Sequence, residues 1–334
     1  MTFSAAYPST RLRRLRQNQT IRSLVRENTL CMSDFISPIF ISQNGHTKLV
    51  ESDQILLERY SIEGAEQIIQ RSIKMGIKSF ALFPVIPRDL KSENGKEALN
   101  ENQYFIQAIV HFKKTFTHIT LICDVALDPY TTHGHDGVLD AHGRVDNDKT
   151  IKILAEQACL LSLSGCDVVA PSDMQDGRIG LIRSELDFYK QTQTMIMSYA
   201  VKYASCLYQP FRNVVSTSKN SIDKSHYQQD FHNSDEALHE AKLDLNEGAD
   251  ILLIKPAMTY LDIIYRIRNT FRKPTFAFQV SGEYLAFKAY EKTLNPEMKK
   301  DLWYELFVCF KRAGANAIIS YATYDFAIEY HESP

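Results

Sequence analysis

Asp250-Ile-Leu-Leu-Ile-Lys-Pro256 carries four consecutive apolar residues, two of them β-branched, into a lysine stopped by a proline. An apolar run without polar alternation reads as a parallel strand buried on both faces. Lys255 then stands where an apolar wall meets a strand end, which raises the cost of carrying charge. A desolvated lysine is a nucleophile.

Outward from this strand, a helical pattern followed by a buried strand recurs along the chain. Upstream, Asp235 to Asn246 is helical and closed by Gly248; downstream, Tyr260 to Phe271 leads to a strand over Thr275 to Val280. Met298 to Arg312 leads to Asn316 to Tyr321. Nearer the N-terminus, Phe35 to Ile41 reads as a first strand. Ile62 to Met75 shows a helical apolar face, and Ile77 to Phe83 follows as a strand closed by Pro84. Helices over 104–112, 149–164 and 182–189 precede strands over 119–124, 166–170 and 194–198. About eight strands alternating with helices predict an α/β fold, a (β/α)8 TIM barrel. A doubly wound open sheet would want a Gly-rich phosphate loop after an early strand, and none is present. The expected layout is an extended N-terminal arm over 1–30 and a single barrel over 31–334, with an active-site lid over about 205–233, a long stretch without periodicity.

With 334 residues, 44% of them hydrophobic, the chain can bury a large core without disulfides or metal. A net charge of -2 argues against nucleic acid or an anionic membrane as partner. No apolar run approaches the ~20 residues of a bilayer span. Cys31, Cys123, Cys159, Cys166, Cys206 and Cys309 are scattered with no CxxC pair, as expected of reduced thiols in a cytoplasmic protein. The arm holds Arg11, Arg13, Arg14, Arg16, Arg22 and Arg26, with no acid before Glu27. That composition suits an organelle transit peptide too, but a basic arm packing on a neighbouring subunit is the preferred reading.

Barrel active sites collect at the carboxyl ends of the strands. Those ends carry Asp124, Ser172-Asp173, Lys202 just past its strand, Lys255, Gln279 to Ser281, and Tyr321. Any one of these alone is best read as a solvated polar residue at a strand end. Together they bring an acid, two amines and hydroxyls to one mouth. A lysine must fall from ~10.4 to about 7 to 8 to attack a carbonyl, and burial beside a second amine pushes it that way. Schiff-base chemistry is the natural use. The loop from Asp124 to Gly137 holds two histidines and three aspartates, Asp124, Asp128 and Asp136. It reads equally as a metal site or as hydrogen-bonded loop polars, and Mg²⁺ suits such carboxylates better than Zn²⁺.

Five stretches carry a resemblance: Asp124-Val-Ala-Leu-Asp-Pro-Tyr-Thr-Thr-His-Gly-His-Asp-Gly137; Ala170-Pro-Ser-Asp-Met174 with Asp176-Gly-Arg178; Lys202-Tyr-Ala-Ser205 with Pro210-Phe-Arg212; Lys255-Pro256 with Tyr260-Leu-Asp262; and Gln279-Val-Ser-Gly-Glu-Tyr284. They resemble the porphobilinogen synthase (δ-aminolevulinic acid dehydratase) family from about Arg11 to about Tyr321. The resemblance implies a lyase that condenses two molecules of 5-aminolevulinate to porphobilinogen with loss of two waters, in tetrapyrrole (heme) biosynthesis. It implies Schiff bases on Lys202 and Lys255, with Lys255 holding the propionate-side substrate. Ser281 and Tyr321 would grip that substrate's carboxylate, and Arg212 and Lys224 the other one. Gln228 would be a lid residue beside them, with Asp124 and Ser172 near the reacting groups. Ala126, Asp128 and Asp136 stand where zinc-dependent members carry cysteines, so catalytic zinc is not expected. The aspartate-type branch is commonly stimulated by Mg²⁺, and Glu236 aligns with the acid of an allosteric magnesium site; an ordinary first-turn acid on a capped helix is the equal alternative. The family implies a homo-oligomer, usually an octamer built from arm-wrapped dimers.

Two other functions compete. An aldolase-type barrel would use Lys255 alone and leave Lys202, Arg212 and Lys224 incidental. A basic-armed nucleic-acid binder would rest on the arginine cluster.

Overall fold

The computed structural model describes residues 6–51, 54–208 and 223–331. Eight parallel strands close into a barrel: β1 (Phe35–Ser42), β4 (Ser79–Val85), β5 (Thr120–Val125), β6 (Val168–Pro171), β7 (Met195–Lys202), β8 (Ile251–Lys255), β9 (Thr275–Phe278) and β10 (Ala317–Ile319). Closure is made where Phe35 and Ile36 pair with Ile318 and Ile319. The expected barrel is therefore present. A hairpin of β2 (Thr47–Glu51) and β3 (Gln54–Tyr60), absent from the expected elements, joins the sheet through β1. Strand β4 also runs through Pro84 rather than ending before it. Its pairing with β5 stops at Leu82, so on that side no partner needs the N–H that proline lacks.

Ten helices are described: α1 (Gln19–Leu24), α2 (Ile62–Lys74), α3 (Tyr104–Thr115), α4 (Asn147–Leu163), α5 (Arg178–Phe188), α6 (Asp235–Glu247), α7 (Leu261–Phe271), α8 (Ser281–Glu291), α9 (Pro296–Ala313) and α10 (Thr323–His331). Their ends follow the local chemistry. The Asn295 side chain accepts from the Met298 N–H, Pro296 opens α9, and Gly314 closes it at φ 113, a conformation side chains disfavour. Ser61 and Asp146 cap α2 and α4 in the same way.

The core has two layers. Ile36, Phe40, Phe83, Ile122, Met197, Leu253, Phe278 and Ile319 fill the barrel, while Leu82, Cys123, Ile254 and Ala277 point outward against the helices. Inward residues recur with period two along each strand. Extending that alternation past Ile122, Ala170, Leu253 and Ile319 brings Asp124, Ser172, Lys255 and Tyr321 to the carboxyl mouth. Lys202 arrives differently. Met197 and Tyr199 face inward, Ala200 and Val201 face outward, and the pairing with β8 shifts between Ser198 and Val201. This bulge re-aims the chain so that Lys202 pairs in register with Lys255.

The arm segment over 6–29 is exposed almost throughout, and α1 buries no residue. No helix among the described residues is long and apolar enough to cross a membrane.

Candidate active site

Lys255 is buried, with Nζ 4.4 Å from the centroid of the Phe278 ring, 5.2 Å from Tyr199 and 5.5 Å from Tyr208. Burial first, and the neighbouring Lys202 second, bring its pKa down to about 7 against the pull of Asp124. Lys202, also buried, places Nζ 6.0 Å from the centroid of the same Tyr199 ring, so one ring serves as floor for both amines. Lys202 donates to the Ser172 carbonyl and lies 3.7 Å from Asp136. The two nucleophile candidates thus share one end of the fold and adjacent strands.

Asp124, buried near the carboxyl end of β5, has an Oδ1 with no hydrogen-bond partner among the described residues. Burial, then the charge of Asp128, push its carboxyl up to about 7. Such a group can give or take a proton near neutrality.

Across the mouth, Lys224 Nζ is 3.0 Å from Asp128 and 3.1 Å from Asp136. Burial works against the charge of Lys224, but the two carboxylates outweigh it and raise its pKa. Burial likewise pushes Asp128 up, yet Lys224 and Lys202 together hold it at about 2, while burial and then Asp128 push Asp136 up. Of the two, Asp136 is the one pushed up and Asp128 the one held down, so the first proton taken up goes to Asp136. The loop aspartates therefore have a lysine between them.

Residues 227–229 bond to the strand ends; of the expected lid, 209–222 lie outside the described residues. The Gln229 N–H donates to the Lys202 carbonyl and the Ala204 N–H to the Gln229 carbonyl, while Tyr227 Oη accepts from the Asp136 N–H at 3.3 Å. Gln228 is buried, and its Oε1 has no partner among the described residues. Gly282 lies against the backbone of Leu207. A Cβ there would come within 2.6 Å of the Leu207 carbonyl oxygen, so only glycine fits.

Ser281, buried, opens α8, and the Tyr321 ring lies tilted at 6.1 Å from Phe278, the ring beneath Lys255. Burial raises the Tyr321 hydroxyl's pKa, keeping it a neutral donor. The structure thus gathers Lys202, Lys255, Asp124, Ser172, Asp128, Asp136, Lys224, Gln228, Ser281 and Tyr321 about one mouth. Arg212 lies outside the described residues. Glu236 is elsewhere, exposed in the first turn of α6, where it accepts a hydrogen bond from Asn233 at 2.8 Å.

Residues 9–328 match the profile of the family described as Delta-aminolevulinic acid dehydratase. The chain belongs to this family. It is 43% identical over 313 residues to the delta-aminolevulinic acid dehydratase of Bradyrhizobium diazoefficiens, covering 93% of this chain and 88% of that one. To the Chlamydia pneumoniae protein of the same name it is 45% identical over 315 residues, covering 94% of each. A solved delta-aminolevulinic acid dehydratase (porphobilinogen synthase) from Toxoplasma gondii ME49, in complex with the reaction product porphobilinogen, superposes with a TM-score of 0.90 at 40% identity, covering 96% of this chain and 91% of that one. Within this dehydratase family framework, sequence reading missed three contributors. Tyr199 and Phe278, which wall the amines, look like ordinary strand hydrophobes, and only their inward parity could have marked them. Glu283, inside a motif already singled out, carries no signal of its partners, because they lie 24 to 26 residues upstream.

Proposed function

We propose that this chain is a 5-aminolevulinate dehydratase, a lyase joining two molecules of 5-aminolevulinate into porphobilinogen with loss of two waters, each ketone being captured by one lysine. The observation that carries the reading is the in-register pair Lys202 and Lys255 over a common ring. A neutral Lys255 amine attacks a ketone carbon; the adduct's hydroxyl takes a proton and departs as water, and a C=N bond remains. Lys202 does the same with the second substrate. These two dehydrations account for both waters. The carbon–carbon and carbon–nitrogen bonds that join the substrates then form as the two lysine amines leave, and the enzyme returns unchanged. Asp124, whose carboxyl comes to about 7, would move protons between these steps. Ser281 and Tyr321 offer hydroxyls to the carboxylate of the substrate on Lys255.

Borohydride added with 5-aminolevulinate should reduce the imine and leave a substrate-derived mass on the peptide holding Lys255. Porphobilinogen formation that continues with no adduct on either lysine would end this reading.

We read the arm as a subunit contact and the assembly as a homo-oligomer, an octamer by family. Tyr7, Leu12, Leu15 and Leu24 are 76%, 70%, 51% and 76% exposed in the single chain, and a second copy would cover them. Removal of 1–26 should lower the assembly mass measured by light scattering. The free thiols Cys123, Cys159 and Cys166, buried in the core, support a reducing, cytoplasmic setting.

Mg²⁺ fits as an allosteric ion beside Glu236. That carboxylate lines a cavity of about 420 Å³ with Asp176, Asp230 and Glu240, whose oxygens suit a hard cation, and with His226 and Asn233. No three such groups are gathered tightly enough among the described residues to chelate directly, so the ion would keep most of its water. When bound it supplies positive charge at the edge of the lid. Glu236→Gln should abolish any stimulation seen when Mg²⁺ is restored after chelation.

A further inference from the structure

Glu283 is fully buried at the third position of α8 and faces no lysine or arginine in any described ion pair. Its carboxylate instead accepts backbone N–H groups from two separate segments. Oε1 takes Met258 at 2.8 Å and Thr259 at 3.2 Å; Oε2 takes Val280 at 2.9 Å and Ala257 at 3.5 Å. The first segment is the turn that leaves β8 directly after Lys255. The second is the residue before Ser281. A buried carboxylate that satisfies donors on two turns ties them together, since parting the turns would strand a buried polar group on one side.

We infer that Glu283 is a positioning residue that fixes the distance between the Lys255 amine and the Ser281 hydroxyl, and so selects the length of the keto acid bound between them. This rests on the reading above, in which the ketone meets Lys255 and the carboxylate of the same molecule meets Ser281. A 4-oxo acid has its two reacting ends at one separation; removing or adding a methylene changes that span by ~1.3 Å, more than a hydrogen bond tolerates. The ends of this turn are anchored elsewhere, the Lys255 carbonyl by the Tyr203 N–H and the Tyr208 hydroxyl and Tyr260 by stacking on Tyr203, but the N–H groups of Met258 and Thr259 are held by Glu283. Ala257 is buried, but Met258 and Thr259 begin a short 3-10 turn whose capping residue contributes no side-chain bond. Gly282 presses on the Leu207 backbone, which keeps the second turn against that residue.

The test uses levulinate (4-oxopentanoate) as probe, with acetoacetate and 5-oxohexanoate as shorter and longer homologues. Each is trapped on the full-length protein with borohydride, and the rate of adduct formation on the Lys255 peptide is read by mass. If wild type traps no levulinate there, the proposed function fails before Glu283 is at issue. Given trapping, wild type should favour levulinate over both homologues, and Glu283→Gln, which keeps only one carbonyl oxygen to accept, should lower that preference at least tenfold while raising KM for 5-aminolevulinate more than it lowers kcat. Glu283→Ala should do so further, and the glutamine variant should therefore rank as a partial rescue. An unchanged preference, with only a lower melting temperature, overturns the inference. Should neither variant fold, amide hydrogen exchange on wild type decides. Slow exchange at both 257–259 and 280 that slows further together on levulinate trapping supports the tie, whereas independent exchange of the two turns overturns it.

Discussion

Lys255 and Lys224 are both buried at the mouth of one barrel, yet their surroundings differ in kind. Lys255 looks onto the rings of Phe278, Tyr199 and Tyr208 with another amine beside it, and its pKa falls to about 7. Lys224 lies 3.0 and 3.1 Å from two carboxylates, and its pKa rises. Burial opposes charge in both cases. What separates them is the charge of the nearest neighbours: the first amine is driven toward its neutral form, the second is held as a cation. The same chemical group is therefore a near-neutral amine or a counter-ion according to whether it faces rings or carboxylates.

The largest test removes the reactive member. Lys255→Met should cost roughly 10⁴-fold in porphobilinogen formation, the scale seen when a covalent machinery loses one part. The same variant should be more stable than wild type near neutrality. A folded-state value of about 7 lies below the ordinary ~10.4, so the folded protein holds fewer protons across that window. Wild-type stability consequently rises with pH between those values, and the penalty for the charged amine is full below 7. The stability gain of Lys255→Met should shrink from pH 7 to pH 10 in urea titrations. Activity within tenfold of wild type would break the contrast outright.

The second test removes a carboxylate from the held member. Asp136 is fully buried, and breaking a buried pair from one side costs about 3–5 kcal/mol; because Asp128 still faces the lysine, Asp136→Ala should fall near the lower end, at about 3 kcal/mol. Urea denaturation measures it. A change below about 1 kcal/mol would mean that Lys224 does not depend on this pair.

Much of this contrast is legible in the chain. Four apolar residues before Lys255 place it at a buried strand end, and period-two alternation from Ile122, Ala170 and Ile319 does the same for Asp124, Ser172 and Tyr321. Lys202 does not follow that rule. Alternation from Met197 and Tyr199 would turn Val201 inward, and only the bulge between Ser198 and Val201, a backbone feature with no residue signature here, brings Lys202 round. A strand expected to stop at Ser198 accordingly runs to Lys202. Helix α8 was equally hidden, because Gln279-Val-Ser-Gly-Glu reads as a strand end until Glu283 is seen to accept the Val280 N–H and start a helix. The ion pairs of Lys224 join positions 88 and 96 residues apart, which no local pattern records.

The third test separates the amine from its acid. Asp124 and Lys255 both come to about 7, one raised and one lowered by burial, so the rate should need an unprotonated amine and a protonated acid at once. That predicts a narrow bell in kcat/KM centred near neutrality, whose two limbs belong to the coupled pair. Asp124→Asn should lower the rate about 10²-fold and remove the alkaline limb while the acid limb stays. Retention of both limbs would take Asp124 out of the proton transfers.

The smallest effect concerns the ring itself. Phe278 lies 4.4 Å from Lys255 Nζ, close enough for its face to favour the ammonium form even as its bulk excludes water. Burial and ring attraction thus act on the same amine with opposite sign. Phe278→Leu keeps the apolar wall and deletes the attraction, worth about 0.5–1 kcal/mol. At roughly 1.4 kcal/mol per pH unit, the acid limb should move down by less than one unit. The pH dependence of borohydride trapping with levulinate reads that limb without the later steps. A shift upward would mean that the leucine admits water and that exclusion, rather than the ring's face, is what Phe278 contributes to the reactive lysine.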